Sequence, residues 1–250
     1  MAKIGGDPQA TPGDVFATSI TPQATVGSHY VSEDGRGYRY AQFDPSNNLV
    51  AGNLLQGVIP VLNHQHLTVA TGASAGMGSL GQNPSIVVTL GATSGSAGFY
   101  SNGYAVVDSG SGHLGQCYSI VSNTTAASSG TMTIVLGEPL QTTIVAGTDT
   151  ISLVPNQYQG VIQNPTTVTG VPVGVALTAG TAGWYGYIQT RGIASVLADA
   201  NVAAKGIAVQ GSTTTAGSVT ATNGTSFFIV GNAVVATVSA RANPVFLTLE

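Results

Sequence analysis

The stretch Tyr38-Arg39-Tyr40-Ala41-Gln42-Phe43 decides the fold class, because its first two tyrosines stand two positions apart in a short apolar run. Alternate residues of a β-strand point to the same face of the sheet, so Tyr38 and Tyr40 are predicted to share one face. Similar stretches rich in Val, Ile, Thr and Tyr follow, separated by clusters of Gly and Ser that supply turns. Many short strands with frequent turns predict an all-β fold of β-sandwich or barrel modules.

The same alternation predicts strands along the rest of the chain. Gly192 is expected to join two of them. The segment Ile193–Ala204 has helical propensity, but no capping residue opens it, so a strand followed by a loop is preferred. The predicted strands cover residues 66–70, 85–90, 104–108, 117–121, 131–136, 149–154, 173–177, 184–190, 193–198, 207–210, 226–230, 233–239 and 245–249.

Three regions are predicted along the chain. Residues 1–30 hold Pro8, Pro12 and Pro22 and few periodic apolar residues, so they are expected to form an extended N-terminal arm, held by a neighbouring subunit. The strand pattern breaks near residues 156–172. We therefore expect a β-sandwich-like domain over 31–160 and a second β-barrel or sandwich-like module over 161–250.

Charged residues are scarce. The chain has 6 Lys and Arg and 10 Asp and Glu among 250 residues, or 6%, whereas an ordinary globular chain carries about 25%. Gly, Ala, Ser, Thr and Val take their place, so the surface is predicted to be hydroxyl-rich and nearly neutral. Such a surface favours association, and a permanent assembly tolerates it because partners cover it.

Neither nucleic acid nor a membrane is an expected partner. The formal net charge is −4, and the nearest approach to a basic cluster, Arg36 and Arg39, lies beside Glu33 and Asp34. No apolar run approaches the roughly 20 residues of a membrane helix, and no signal peptide is visible, so synthesis in a cytoplasm is expected. The single cysteine, Cys117, forms no internal disulfide and is predicted to be a small buried hydrophobe.

His64 and His66 form the first candidate chemical site. Alternate residues of a strand share a face, so two imidazoles could meet a metal ion. No third ligand stands at a recognisable spacing, and the favoured interpretation is two hydrogen-bonded polar histidines. No metal or other cofactor is expected.

Catalytic motifs are also missing from the sequence. Most of the acids stand beside turn residues, which explains them without an acid–base pair. Gly110-Ser111-Gly112 lies in a turn and lacks the strand and helix of a nucleophile elbow, and no phosphate-binding loop is present. We therefore predict no catalytic residues and a protein that is not an enzyme.

One dense aromatic group, Trp184, Tyr185 and Tyr187, is predicted to place both tyrosines on one face of a strand and Trp184 on the other. Core packing is the favoured interpretation, and the alternative is an anchor at a subunit interface, where Trp and Tyr are enriched. The predicted interface residues are these three with four apolar residues of the arm, namely Ile4, Val15, Phe16 and Ile20.

Several phrases resemble the head decoration, or capsid cement, proteins of tailed bacteriophages. They are Gly35-Arg36-Gly37-Tyr38-Arg39-Tyr40-Ala41-Gln42, Leu49-Val50-Ala51-Gly52-Asn53-Leu54-Leu55-Gln56, Asn63-His64-Gln65-His66-Leu67-Thr68-Val69-Ala70, Gly183-Trp184-Tyr185-Gly186-Tyr187-Ile188-Gln189-Thr190-Arg191-Gly192 and Val245-Phe246-Leu247-Thr248-Leu249-Glu250. The resemblance spans roughly residues 35–250, and the N-terminal arm has no counterpart in it. It implies a β-rich protein bound outside an icosahedral shell, often as trimers.

The expected function is therefore a structural virion protein on the capsid exterior, made in a bacterial host cytoplasm. Its expected partners are the major capsid protein and further copies of itself, as a homotrimer. Two alternatives stay open. One is another virion component, such as a tail or minor capsid protein, and the other is a carbohydrate-binding β-sandwich whose aromatic platform would include Trp184.

Overall fold

The computed structural model describes residues 13–78, 83–110, 114–167, 169–199, 204–222 and 228–250. Within them the chain is nearly all β, and the helical segments are two short 3-10 turns, Asp14–Phe16 and Leu62–His64. The predicted all-β class is confirmed. None of the described helical segments is long and apolar enough to span a bilayer. The strands are β1 (Thr18–Ser19), β2 (His29–Val31), β3 (Gly37–Phe43), β4 (Leu54–Gln56), β5 (Leu67–Thr71), β6 (Ser85–Thr89), β7 (Tyr104–Ser109), β8 (Cys117–Asn123), β9 (Thr131–Leu136), β10 (Thr150–Val154), β11 (Gln159–Gln163), β12 (Pro172–Ala176), β13 (Tyr185–Leu197), β14 (Ala208–Gly211), β15 (Val219–Ala221), β16 (Ile229–Ala233) and β17 (Ala242–Thr248).

The chain divides into two compact units. The barrel unit is Pro60–Asn156, and the sheet unit combines Met1–Ile59 with Gln157–Glu250. The sequence prediction instead placed one boundary between residues 160 and 161 and expected two successive modules. The structure differs because β11, which follows the barrel unit, pairs with β3 and β4, which precede it. Both ends of the chain therefore build the sheet unit.

The barrel unit is a closed antiparallel sheet with the strand order β10-β5-β6-β9-β8-β7. Side chains alternate along its strands, as in β6, where Ile86 and Val88 are buried and Ser85 is exposed. One hydrophobic cluster fills the interior, and Met132 and Ile134 of β9 lie fully buried in it. Closure pairs both edges of each strand, so the barrel unit has no need of a partner strand.

The sheet unit is organised around β13, a strand of 13 residues. Its strands follow the order β15-β14-β16-β17-β13-β12-β4-β11-β3-β2. The first half of β13 also pairs with β3, which closes a ring through β13, β12, β4, β11 and β3. The second half of β13 pairs with β17, and β16, β14 and β15 continue the sheet beyond it.

Gly192 lies within β13 and lets one strand serve two partners. The predicted join between two strands is wrong, because β13 continues from Tyr185 to Leu197 through this glycine. Gly192 has φ +82°, a conformation that side chains with a Cβ avoid, and the ladder with β3 shifts register just before it. The amide of Gln189 donates to the carbonyls of Arg191 and Ile193 at 3.0 and 2.9 Å, which supports the irregular backbone.

Three hydrophobic clusters stabilise the sheet unit. The first joins the ring strands through residues such as Phe43 and Ile188. The second joins β13 to the strands beyond it through Val196 and Val245. The third, which we call the tyrosine cluster, holds Val15, Tyr38, Tyr40 and Tyr187. The prediction that Tyr38 and Tyr40 share a face is thus confirmed.

The described part of the predicted arm packs on its own chain. β1 pairs with the start of β13, and β2 pairs with β3. Val15 is buried in the tyrosine cluster, and the backbone N–H of Gln23 donates to the hydroxyl of Tyr40 at 2.9 Å. Residues 13–30 are therefore part of the sheet unit and not a free arm. Residues 1–12, which include the predicted interface residue Ile4, lie outside the described residues.

Two local predictions are wrong. Cys117 is exposed, because Tyr118 and Ile120 of β8 take the inward positions and alternation turns Cys117 outward. The predicted strand over 233–239 is a connection after β16, held by the side chain of Asn243. Its amide oxygen accepts from the backbone N–H of Val238 at 2.8 Å, and its amide group donates to the carbonyl of Val238 at 3.0 Å.

Candidate interaction surface

The two histidines of the candidate metal pair lie in different environments. His64 ends a 3-10 turn and is 1% exposed, with Nε2 at 2.9 Å from the carbonyl oxygen of Thr93 and Nδ1 at 2.5 Å from the hydroxyl of Tyr100. The side chain of His66 is 79% exposed. The expectation of a shared strand face is therefore wrong. Among the described residues, no three His, Cys, Asp or Glu side chains gather to hold a metal ion.

Asp108 is the centre of a small polar cluster in the barrel unit. Its carboxylate accepts hydrogen bonds from the hydroxyls of Thr150 and Ser152 and lies 3.1 Å from Nδ1 of His66. Burial acts to raise the pKa of Asp108, but the hydrogen bonds from Ser152 and Thr150 and the neighbouring His66 hold it below its ordinary value. Because Ser152 donates directly to Asp108 and not to an imidazole, the order of groups that activates a serine nucleophile is not formed.

The aromatic group packs as core. Trp184 is half-buried against the cluster of the ring strands, while Tyr185 and Tyr187 contact the tyrosine cluster, as the predicted alternation requires. The ring of Tyr40 stacks on Tyr185 at 6.2 Å between centroids and meets Tyr187 edge-on at 5.1 Å. Burial raises the pKa of Tyr187 to about 12. Tyr187 therefore contributes to the interior of its own chain, and so does Val15.

Two other predicted interface residues are exposed. Phe16 is 55% exposed and Ile20 is 68% exposed, although they follow the buried Val15 closely. Burying a large apolar side chain is favourable by roughly 1.5–3 kcal/mol, so such exposure is a reason to look for a covering partner. Phe16 also lines a depression in the surface.

This depression belongs to a larger feature, which we call the apolar groove. Two depressions of about 550 and 650 Å³ share Arg36 and Ile193 along their walls. Ile193 of β13 and Phe246 of β17 lie directly opposite each other in the ladder and are 48% and 45% exposed. The chief lining side chains are Phe16, Arg36, Arg191, Ile193, Pro244 and Phe246.

The charges of the groove do not balance. Nε of Arg36 lies 2.7 Å from a carboxylate oxygen of Asp34, so this pair is neutral. Arg191 is exposed, and no carboxylate of the described residues lies within ion-pair distance of it. Elsewhere Nε of Arg39 lies 2.5 Å from a carboxylate oxygen of Glu250. The groove thus combines apolar walls with one uncompensated guanidinium.

A second exposed apolar area surrounds the β16–β17 connection, and we call it the hairpin surface. Ile207 joins it because its carbonyl accepts from the backbone N–H of Ala233 at 2.9 Å. The area accounts for 4 of the 20 exposed large hydrophobic side chains in the described residues. Its members are Ile207, Val234, Val235 and Val238.

Comparison of the chain with protein-family models, with curated proteins and with solved structures finds no match.

The groove was missed in the sequence because its walls come from distant segments. Alternation does place Ile193 opposite in direction to its buried neighbour Ala194, and the same holds for Phe246 and Val245. The sequence prediction ended one strand at Gly192 and began another after it. β13 is in fact continuous through Gly192, and its second half places Ile193 opposite Phe246. Nothing in the sequence indicates that Arg191 lacks an acidic neighbour, because that depends on the tertiary fold.

Proposed function

We propose that this chain is a structural protein that binds the outside of an icosahedral phage capsid and stabilises it as a cement protein. The observation that carries the proposal is the combination of 20 exposed large hydrophobic side chains among the described residues with only 16 charged residues in the whole sequence. Monomeric soluble proteins rarely leave extended apolar surface uncovered. A chain with this surface is suited to permanent contact with partners.

The mechanism is thermodynamic. A protein that binds the assembled shell but not its dissociated subunits stabilises the shell by mass action. Contacts from one oligomer to several shell subunits add avidity, because each further contact forms at a high effective concentration. Apolar contacts would supply the affinity, since the chain has few charges available for ion pairs.

The two apolar areas of the sheet unit suit different partners. The hairpin surface has more exposed large aliphatic side chains than the groove, namely Ile207, Val234, Val235 and Val238. We assign it to the major capsid protein. The apolar groove, with Phe16 beside it, is assigned to further copies of this chain in a homotrimer. The resemblance of the phrases around residues 35–42 and 183–192 to phage decoration proteins supports the same role.

The test uses capsids that lack the protein, with purified protein added back. Decorated shells should release their DNA at a higher temperature and resist osmotic shock better than bare shells. Equal resistance of bare and decorated shells would contradict the proposal.

A paired variant tests the hairpin surface. Replacing Val234 and Val235 by Ser should weaken attachment to shells about tenfold, because truncating a central interface side chain costs roughly 1–2 kcal/mol. The control replaces Leu62 and Val121, which are also apolar and exposed but lie in the barrel unit, by Ser. Attachment that falls equally in both variants would argue against the assignment of the hairpin surface.

A further inference from the structure

The hairpin surface is presented by a connection that its own chain holds in place. The side chain of Asn243 is buried, and its amide group donates to the carbonyl of Val238 at 3.0 Å and to that of Arg241 at 2.6 Å. Thr237, in the middle of the connection, is also buried. The exposed aliphatic side chains are therefore carried on an ordered backbone, which lowers the entropy lost when a partner covers them.

Two cationic residues border the hairpin surface. Lys205 precedes Gly206, whose backbone N–H donates to the carbonyl of Ala233 at 2.7 Å. The backbone N–H of Arg241 donates to the carbonyl of Val238 at 3.3 Å. Both Lys205 and Arg241 are exposed. The surface thus has an aliphatic centre and a positively charged border.

The charges of Lys205 and Arg241 are not compensated by a neighbouring acid. Among the described residues, no carboxylate lies within ion-pair distance of either cation. Residues 191–249 contain a single acid, Asp199, which is buried and accepts a hydrogen bond from the hydroxyl of Ser212 at 2.6 Å. The formal net charge of the chain is −4, so this border is opposite in sign to the molecule as a whole.

Three classes of partner carry the negative charge that would complement this border. Nucleic acid is disfavoured, because binding by phosphate neutralisation uses larger clusters of basic groups than a single pair. An anionic bilayer would attract the two cations but repel a chain whose net charge is −4. A protein face with an apolar centre and carboxylates at its rim complements both features of the surface.

We propose that the hairpin surface binds a protein face that is apolar at its centre and acidic at its rim, with carboxylates beside Lys205 and Arg241. The aliphatic side chains supply most of the affinity. The two cations select the partner and its orientation, because like charges placed together across an interface are unfavourable. The inference rests on the proposed function, in which this surface meets the capsid shell, and it names the chemistry that the shell presents there.

Coated beads test this chemistry without capsids. One set carries short alkyl chains that end in carboxylates, and a matched set carries the same chains ending in neutral amides. The unsubstituted protein should bind the carboxylate beads roughly fivefold more tightly, and added salt should remove the difference. Lys205→Gln combined with Arg241→Gln should abolish the preference. Equal binding of the unsubstituted protein to both sets of beads would overturn the proposal.

The control changes the net charge by the same amount in the barrel unit. Ser85→Glu combined with Thr131→Glu adds two negative charges at exposed strand residues, just as the glutamine pair removes two positive ones. The control should keep the preference for carboxylate beads. A preference that falls equally in both double variants would show that net charge, and not the border of the hairpin surface, determines binding, and would refute the proposal.

Sedimentation with bare shells tests the same residues on the proposed partner. Neutralising Lys205 and Arg241 should weaken attachment roughly fivefold at low salt, and salt should weaken attachment of the unsubstituted protein more than that of the variant. Vesicles rich in phosphatidylserine serve as the competing probe. Cosedimentation with these vesicles that is lost in the glutamine pair would identify a membrane as the partner and contradict an acidic protein face.

The two proposals fail separately. A charge-dependent preference for carboxylate beads in a chain that does not attach to shells would refute the decoration role and leave the acidic partner standing. Attachment to shells that responds neither to salt nor to the loss of both cations would do the reverse.

Discussion

The barrel unit and the sheet unit use the same kinds of residue in opposite ways. The barrel unit closes on itself with six strands, β5 to β10, from one continuous stretch of chain, and a single cluster fills it. The sheet unit pairs distant strands, such as β3 with β13, and divides its apolar residues among three clusters. Closure satisfies the barrel unit internally, whereas the sheet unit keeps a groove and an exposed apolar area. Binding is therefore expected to fall mainly to the sheet unit.

The largest expected effect comes from the interior of the barrel unit. Ile134→Ala removes a fully buried side chain and should lower the free energy of unfolding by about 3 kcal/mol. The single Cys117 reports on this unit through an attached fluorophore, and the single Trp184 reports on the sheet unit. In a urea titration the midpoint from Cys117 should fall, while the midpoint from Trp184 stays close to that of the unsubstituted chain. Equal shifts of both signals would mean that the units unfold together.

A smaller effect is expected at Gly192 in the sheet unit. Gly192→Ala should cost about 2 kcal/mol, because a residue with a Cβ is strained at positive φ and the added Cβ would lie 2.9 Å from Cγ of Arg36. Here the midpoint from Trp184 should fall more than that from Cys117. The control Gly206→Ala has φ +80° but no atom within 4 Å of the added Cβ, so its cost isolates the backbone strain. If both variants lose the same stability, the contact with Arg36 contributes nothing.

The smallest effect concerns the acid stability of the barrel unit. The pKa of Asp108 is lowered in the folded state, so its carboxylate stabilises the fold above its ordinary pKa, and the contribution is lost as pH falls through the folded value. Asp108→Asn should therefore cost about 1 kcal/mol at neutral pH, and its deficit should shrink below pH ~4. Denaturation followed through Cys117 over a pH series measures this. The exposed Glu33 in Glu33→Gln serves as control, and a deficit that does not depend on pH would contradict the assignment.

The sequence predicted much of the barrel unit because apolar and polar residues alternate along its strands, and this alternation indicates one buried and one exposed face. β6, β7 and β9 were located within a residue or so, since each has one face in the core and one outside. β4 was missed because Leu54, Leu55 and Gln56 are all buried, which removes the alternating signal. The 3-10 turn that ends at His64 was not predicted, because polar alternation alone does not distinguish a strand from a turn.

The candidate interaction surface was predicted only in part. Phe16 and Ile20 are exposed, and their role as contact residues stays a prediction, while Val15 and Tyr187 are buried in the tyrosine cluster. Phe246 was not predicted as a surface residue, because its environment depends on pairing with β13. Local sequence patterns indicate which face of a strand a residue takes, but the neighbours across the sheet come from long-range pairing.

The position of the barrel unit within the sequence has a practical consequence for engineering. Gly57 and Gln157 flank it, and a Cβ added to Gly57 would lie 2.7 Å from the backbone oxygen of Gln157. The chain therefore leaves the sheet unit and returns to it at neighbouring points. A foreign domain whose own termini lie close together could replace residues 60–156 without stretching the strands on either side. The sheet unit would then act as a carrier that displays an exchangeable cargo.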